Sequence, residues 1–310
     1  MAYSADPTLS GVASELSGVG LWAPLAAWEH EGSSAAAAAG ELESIGFEAL
    51  WLGNGAGLLA QAQRLLEATA RITVATGTAH LATHSPAALA DAHARLSARH
   101  GRRLVLSIGG AWAPAADHPG RAGYALMAAC LDALDRTDPP VPAQRRMLAA
   151  LGPKMLELAS RRACGAHPYT VPVAHTRLAR RILGPDSRLV PEVKVTLERN
   201  PDRARAIARR TLAVYLEKGN YAANLARLGF ARPELRAGGS DRVVDALVAW
   251  GGPEAIRRRV DEHLGAGADQ VALQLLTDDP DGRLPRDGYE RLAAALRSAP
   301  PLAGGGAASG

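Results

Sequence analysis

Short apolar runs ending in glycine alternate with amphipathic stretches along this chain, and the pattern is clearest between residues 71 and 110. In RITVATGTAHL, Ile72, Val74 and Thr76 alternate with Thr73 and Ala75. That β-branched composition suits a strand buried on both faces, as in a parallel sheet. The strand runs into Gly77, which permits a sharp turn or a close approach of backbone to ligand. Ser85-Pro86 then supplies an N-cap and a first helical residue. Leu89, His93 and Leu96 follow at helical spacing, and His100-Gly101 ends the helix. Residues 103–108, RLVLSI, form a second buried strand that runs into Gly109-Gly110. Strand, helix and strand with glycines at the strand ends make a βαβ unit, whose functional edge is the C-terminal edge of the sheet.

The same alternation extends in both directions. Strands are predicted at 18–23, 49–52, 147–151, 165–173, 189–197 and 269–276. Helices are predicted at 35–46, 58–70, 124–136, 153–163, 175–183, 202–218, 241–250, 253–264 and 286–297. Residues 220–240 are the least regular large segment and read as a helical excursion before the last strand. About eight strands, each followed by a helix, give an α/β fold, a single (β/α)8 TIM barrel. A doubly wound open sheet is the alternative. The barrel domain is expected to cover 18–298, with disordered segments at 1–17 and 299–310.

Composition narrows the picture. Hydrophobic residues make up 47% of the 310 residues and aromatics only 4%, so Ala, Leu and Val must fill the core. A net charge of +4 is too small at this length to mark a nucleic-acid surface. No apolar run spans a bilayer, and the first residues lack the charged and apolar regions of a signal peptide. Cys130 and Cys164 have no metal or redox spacing and read as buried thiols in a reducing, cytoplasmic compartment. The expected partner is a small-molecule substrate, with no nucleic acid and no membrane, and a second copy of the chain in the case of a homodimer. No metal site is expected. Arginine greatly outnumbers lysine, and Lys154, Lys194 and Lys218 are the only lysines.

In a barrel, the residues following each strand line the C-terminal mouth. Those are Trp22, Gly53 to Gly57, Thr76 to His80, Gly109 to Trp112, Gly152 to Lys154, His167 to Tyr169, Lys194 and Gln274. GNGAG at 53–57 is not a dinucleotide fingerprint, and neither a P-loop nor a GxSxG elbow is present. Gly152-Pro153-Lys154 reads either as a phosphate cradle at a helix N-terminus or as an ordinary helix start with a surface lysine. Lys194 lies in an apolar strand on the same face as Glu192. The pair reads either as an internal ion pair or as an anion contact at the mouth. Trp112 reads as a flat wall for a ring system or as a lid on the core.

Several of these stretches resemble one known family. They are IGFEALWLG (45–53), RITVATGT with HSPAALADAHARL (71–96), LSIGG (106–110), LAALGPKMLELASRRACGAHPY (148–169), PEVKVTLERNPDRAR (191–205), NYAANLARLGF (220–230) and SDRVVDALVAWG (240–251). In order, they resemble the luciferase-like monooxygenase superfamily, specifically its coenzyme F420-dependent oxidoreductases of actinobacterial type. The resemblance implies a deazaflavin or flavin at the mouth and hydride transfer at the ring's C5 to or from an organic substrate, such as a C=C or C=N bond. It implies a non-proline cis peptide at Thr76-Gly77, a cofactor phosphate at Gly152, Pro153 and Lys154, and a site lined by Gly109-Gly110 and by His167, Pro168 and Tyr169. Trp22, Gly53, Thr76, Gly77 and Lys194 complete the expected cofactor contacts. The chain departs from the pattern at Asn54 and Trp112, where relatives carry acid–base groups. The catalytic candidates are therefore Asn54, His80, Trp112 and His167, although Trp cannot supply a proton. An FMN-dependent monooxygenase and a barrel without redox chemistry, acting as a ligand-binding or interaction protein, are the alternatives.

Overall fold

The computed structural model describes residues 16–110, 119–279 and 281–297. Trp112, His118, residues 1–15 and the tail from 298 lie outside the described residues. Leu16, expected in a disordered segment, is fully buried, and Ser17 accepts a hydrogen bond from Gln270 Nε2.

Eleven strands form the sheet among the described residues: β1 (Gly18–Ala23), β2 (Ala49–Leu52), β3 (Thr73–Thr76), β4 (Ala79–His80), β5 (Leu104–Gly109), β6 (Arg146–Leu148), β7 (Gly165–Ala166), β8 (Arg188–Leu189), β9 (Glu192–Thr196), β10 (Val248–Trp250) and β11 (Gln270–Leu275). All pairings are parallel. Neighbours run β10-β9-β11-β1-β2-β3-β5-β6-β7-β8, with β4 against β5. β8 and β9 are two parts of one extended segment interrupted at Pro191. Across that interruption Val190 N–H donates to Ala166, Glu192 N–H to Pro168, and Ala272 N–H to the Pro191 carbonyl. The segment 188–196 therefore joins the two ends of the sheet and closes it. β3 and β4 likewise flank a short break, and β10 only extends the upper edge of β9 beyond β7, so the closed ring has eight staves, the (β/α)8 barrel that the alternation predicts.

Helix boundaries follow their caps. Ser85 caps Pro86–His100 by accepting from Ala88 N–H, and Asn200 caps Pro201–Leu216 by accepting from Asp202 and Arg203 N–H. The apolar helix faces and the outward strand residues form one core around the barrel. Pro201–Leu216, the irregular segment at 220–240 and Asp241–Leu247 together form one helical excursion, and a second cluster under it includes Leu212, Leu225, Phe230 and Val244.

Several expected boundaries shift for identifiable reasons. The helix expected at 241–250 is Asp241–Leu247, and Val248–Trp250 pair with β9 instead. Val243, Val244, Leu247 and Val248 read as one helical stripe, yet the free upper edge of β9 captures the last three residues. The strand expected at 165–173 pairs only at Gly165–Ala166. Pro168 and Pro172 have no N–H to extend the ladder. The irregular segment at 220–240 contains a helix, Gly219–Arg227, and a short 3₁₀ turn, Arg232–Leu235. The helix expected from 124 begins at Pro119.

Closure leaves no room at Gly165. A Cβ there would lie 1.8 Å from the Arg188 carbonyl oxygen, where β7 and β8 meet. Gly165→Ala should lower the unfolding free energy by about 3 kcal/mol, the upper end for overpacking, as read by urea denaturation. An unchanged midpoint would contradict this account of closure.

Candidate functional site at the barrel mouth

The inward positions of the strands divide the lumen into a lower and an upper region. In the lower region Trp51 stacks on His167, with ring centroids 4.2 Å apart and planes 19° apart. Trp51 Nε1 donates to Gln270 Oε1. His167 is fully buried, its Nδ1 is 2.7 Å from the Val190 carbonyl, and its Nε2 has no partner. A carbonyl can only accept, so Nδ1 carries the proton and Nε2 keeps a free lone pair. Burial, helped by the Lys194 charge, pushes this imidazole down to about 4.

Above it lies a polar and aromatic centre. Lys194 Nζ donates to Glu192 Oε2 at 2.9 Å, Oε1 at 3.0 Å and Thr170 Oγ1 at 2.9 Å. Lys194 and Glu192 are fully buried. Thr170 N–H donates to Glu192 Oε2, and Thr170 holds a left-handed backbone with φ 55°. The ammonium lies 3.8 Å from the Tyr169 ring centroid and 4.7 Å from that of Tyr215. Tyr215 OH donates to Tyr169 OH, which donates to Gln274 Oε1. Trp22, Tyr169, Tyr215 and Tyr221 form an unbroken aromatic row with centroid spacings of 5.2, 5.1 and 5.4 Å. Tyr215 and Tyr221, both half-buried, come from the excursion across the mouth.

The glycines after the strands are packed by the chain's own side chains. Trp22 Nε1 donates to the Gly77 carbonyl at 2.6 Å, and its indole presses on both Gly53 and Gly77. A Cβ at Gly109 would meet Thr78 Oγ1 at 2.6 Å, and one at Gly110 would meet the His80 ring at 2.7 Å. Thr76 Oγ1 donates to the Ser107 carbonyl. The non-proline cis peptide is at Gly77-Thr78, one bond beyond the Thr76-Gly77 pair where it is expected. Asn54 Oδ1 accepts from the His80 N–H and from Thr83 Oγ1, so its side chain holds the turn after β4. His80 is half-buried, and burial, Lys218 and His84 all lower its basicity.

Gly152 caps Pro153–Arg162 without any side-chain cap, which leaves that helix end open. The Arg227 guanidinium lies 3.5 Å from where a Gly152 Cβ would be, and Pro153 and Lys154 are exposed. Arg227 is supplied by the excursion and ends Gly219–Arg227. Among the described residues, Trp22, Tyr169 and Lys194 thus form one group and Gly152 with Arg227 another. Asn54 and His80 meet at a turn, and His167 is enclosed below. Two surface depressions, of about 610 Å³ around Arg64 and Glu67 and about 290 Å³ around Trp250 and Arg259, lie away from the mouth.

The residues that spacing did not single out are Thr170, Tyr215, Tyr221, Lys218 and Arg227. All but Thr170 belong to the excursion, and a strand-end rule cannot reach them. Their signal is composition, since three of the chain's six tyrosines, Tyr169, Tyr215 and Tyr221, lie close to one another in the fold.

No family model matches the chain, and no curated protein matches it. Solved structures do. An F420-dependent secondary alcohol dehydrogenase in complex with an F420–acetone adduct is similar with a TM-score of 0.68 at 14% identity, over 91% of this chain and 99% of that one. Coenzyme F420-dependent tetrahydromethanopterin reductase from Methanopyrus kandleri gives 0.66 at 16% identity, over 90% and 98%. The oxygenating constituent of 3,6-diketocamphane monooxygenase from Pseudomonas putida, in complex with FMN, gives 0.60 at 12% identity, over 89% and 96%. These likenesses establish the (β/α)8 barrel fold that the chain shares with those proteins.

The enclosed imidazole has a signature in solution. Between pH 6.5 and 4 the unfolded chain holds a proton on His167 that the folded chain does not. Stability should therefore fall as pH drops through that window, with His167 contributing on the order of 2–3 kcal/mol. His263, pushed down to about 3 by burial, adds to the same slope. Urea titrations of wild type and His167→Gln between pH 7 and 4 should show a shallower slope in the variant. Identical slopes would contradict the assignment.

Proposed function

We propose that this protein is an oxidoreductase that binds a deazaflavin or flavin at the barrel mouth, with coenzyme F420 as the cofactor. A small organic substrate is the hydride partner. The observation that carries the reading is the open N-terminus of Pro153–Arg162 with the Arg227 guanidinium set against Gly152. Backbone N–H groups, the positive end of the helix dipole and a planar cation converge there, a combination that suits a phosphate. The exposed Lys154 and Lys218 add positive charge around the mouth, which suits an acidic cofactor. The half-buried rings of Tyr215 and Tyr221 and the His80 imidazole offer flat surfaces to a conjugated ring. The residues present fit a phosphate-bearing aromatic cofactor.

When bound, such a group supplies hydride transfer, or oxygen activation in the case of a reduced flavin. The chain's own part is to bind and orient. Gly152 and Arg227 hold the anion, and Lys154 adds a screened attraction. Trp22 fixes the backbone at Gly77. Tyr169, Tyr215 and Tyr221 bring phenol hydroxyls to the mouth, which with His80 are proton-bearing groups there. Asn54 serves the turn at His80 and does not act as an acid.

Spectroscopic titration of the purified protein with F420 and with FMN tests this reading. F420 should be retained with a perturbed spectrum. Retention of FMN alone favours the monooxygenase alternative, and retention of neither favours a barrel without redox chemistry. Arg227→Ala should weaken F420 binding roughly ten- to hundredfold, the loss of a charge-assisted contact. Lys154→Ala should have a smaller effect that vanishes at high salt. An Arg227→Ala variant that binds like wild type would remove the cradle from the account.

A further inference from the structure

The binding residues proposed above make no use of the most unusual group in the barrel. Lys194 is an amine with no exposed surface, on the C-terminal half of the stave that closes the sheet. Its hydrogen bonds go to both oxygens of one carboxylate, Glu192, and to the hydroxyl of Thr170. Thr170 is β-branched and yet left-handed, with φ 55°, and this backbone aims both its N–H and its hydroxyl at the pair. A β-branched residue in that region is disfavoured and persists only where its surroundings hold it. The strain points to a centre whose geometry is specified closely. Above the ammonium are the faces of Tyr169 and Tyr215. Tyr169 is fixed by Gln274 and the strand end. Tyr215 is half-buried on the excursion, with its ring centroid 4.7 Å from Nζ.

An amine that shares a proton with a carboxylate, out of water and among aromatic rings, is suited to nucleophilic attack on a carbonyl. We propose that Lys194 is a nucleophile that condenses with the carbonyl group of a small aldehyde or ketone to form a protonated imine, with Glu192 as its proton partner. The ammonium first gives a proton to Glu192, leaving a neutral amine and a neutral acid. The nitrogen lone pair attacks the carbonyl carbon, a C–N bond forms, and the C=O π pair moves to oxygen. A proton passes from nitrogen to that oxygen. Glu192 then returns its proton to the hydroxyl, water leaves, and the nitrogen lone pair completes the C=N bond. One carbonyl and one ammonium become one iminium and one water, with no change in oxidation state. The same burial supports the step from both sides. It pushes the Lys194 amine down to about 8 and the Glu192 acid up, so burial favours the neutral form of each partner. Movement of the Tyr215 ring is the opening that admits the carbonyl.

The chain offers a clean test because it has only three lysines, two of them exposed. The full chain is incubated with propanal at pH 7 and sodium cyanoborohydride, and alkylated lysines are mapped and timed by mass spectrometry. No redox cofactor is added, so the outcome is independent of the F420 titration. Lys194 should be alkylated about tenfold or more faster than Lys154 and Lys218, because the Glu192 carboxylate lies within 3.0 Å of its Nζ to take the proton. Tyr215→Ala should accelerate Lys194 further and leave Lys154 unchanged; Lys218, whose ammonium lies 5.1 Å from the Tyr215 ring, is not the control. Glu192→Gln, in preparations that keep the native circular dichroism spectrum, should slow Lys194 at least tenfold. Alkylation of Lys154 and Lys218 with Lys194 intact in both wild type and Tyr215→Ala, or of Lys194 only after urea is added, would overturn the proposal.

Discussion

The buried ion pair between Glu192 and Lys194 is the constraint around which the barrel is arranged. Both residues lie on the segment that joins the ends of the sheet, with β7 and then β10 along one edge and β11 along the other. An unpaired charge in that position would cost several kcal/mol, and removing one partner strands the other. The pair is held by the Thr170 N–H and hydroxyl, and that demand bends the chain immediately after Tyr169. The bend in turn sets Tyr169 against Trp22, Gln274 and Tyr215. A single electrostatic requirement thus runs from the closing stave to the aromatic row at the mouth.

A consequence is that the mouth is built from polar-tipped aromatic rings and cations instead of open glycine loops. Gly53, Gly77, Gly109 and Gly110 accommodate Trp22, Thr78 and His80 closely. Their lack of a Cβ serves internal packing. The capacity to bind lies at the rim, where the excursion places Tyr215, Lys218, Tyr221 and Arg227 over strand-end loops from the other side of the barrel. Long insertions of this kind in barrel enzymes vary the site without altering the scaffold.

Much of this was legible in the sequence, for local reasons. Alternation and caps located the staves and helices, because Ser85 and Asn200 act on N–H groups two or three residues away. The even spacing of Glu192 and Lys194 put both on one face of a strand, and the structure joins them. The short strand at Val248–Trp250 was not legible, because it depends on a partner edge fifty residues earlier. Neither was the part of the site that depends on tertiary contact. Nothing near Arg227 in sequence signals Gly152, and nothing near Trp22 signals the Gly77 carbonyl. His167 follows a strand, as a mouth residue should, yet its ring stacks downward on Trp51 and is enclosed.

The central claim is that the mouth is a binding site for a phosphate-bearing aromatic cofactor, anchored where Arg227 meets the N-terminus of Pro153–Arg162. The most direct measurement is a crystal structure of the protein grown with saturating F420. The account predicts the cofactor phosphate within hydrogen-bonding distance of Arg227 and the first turn of that helix, with the ring system against the Tyr215 and Tyr221 side of the mouth. Cofactor bound only on the outer helical layer, or a mouth that stays filled by protein side chains under those conditions, would contradict it.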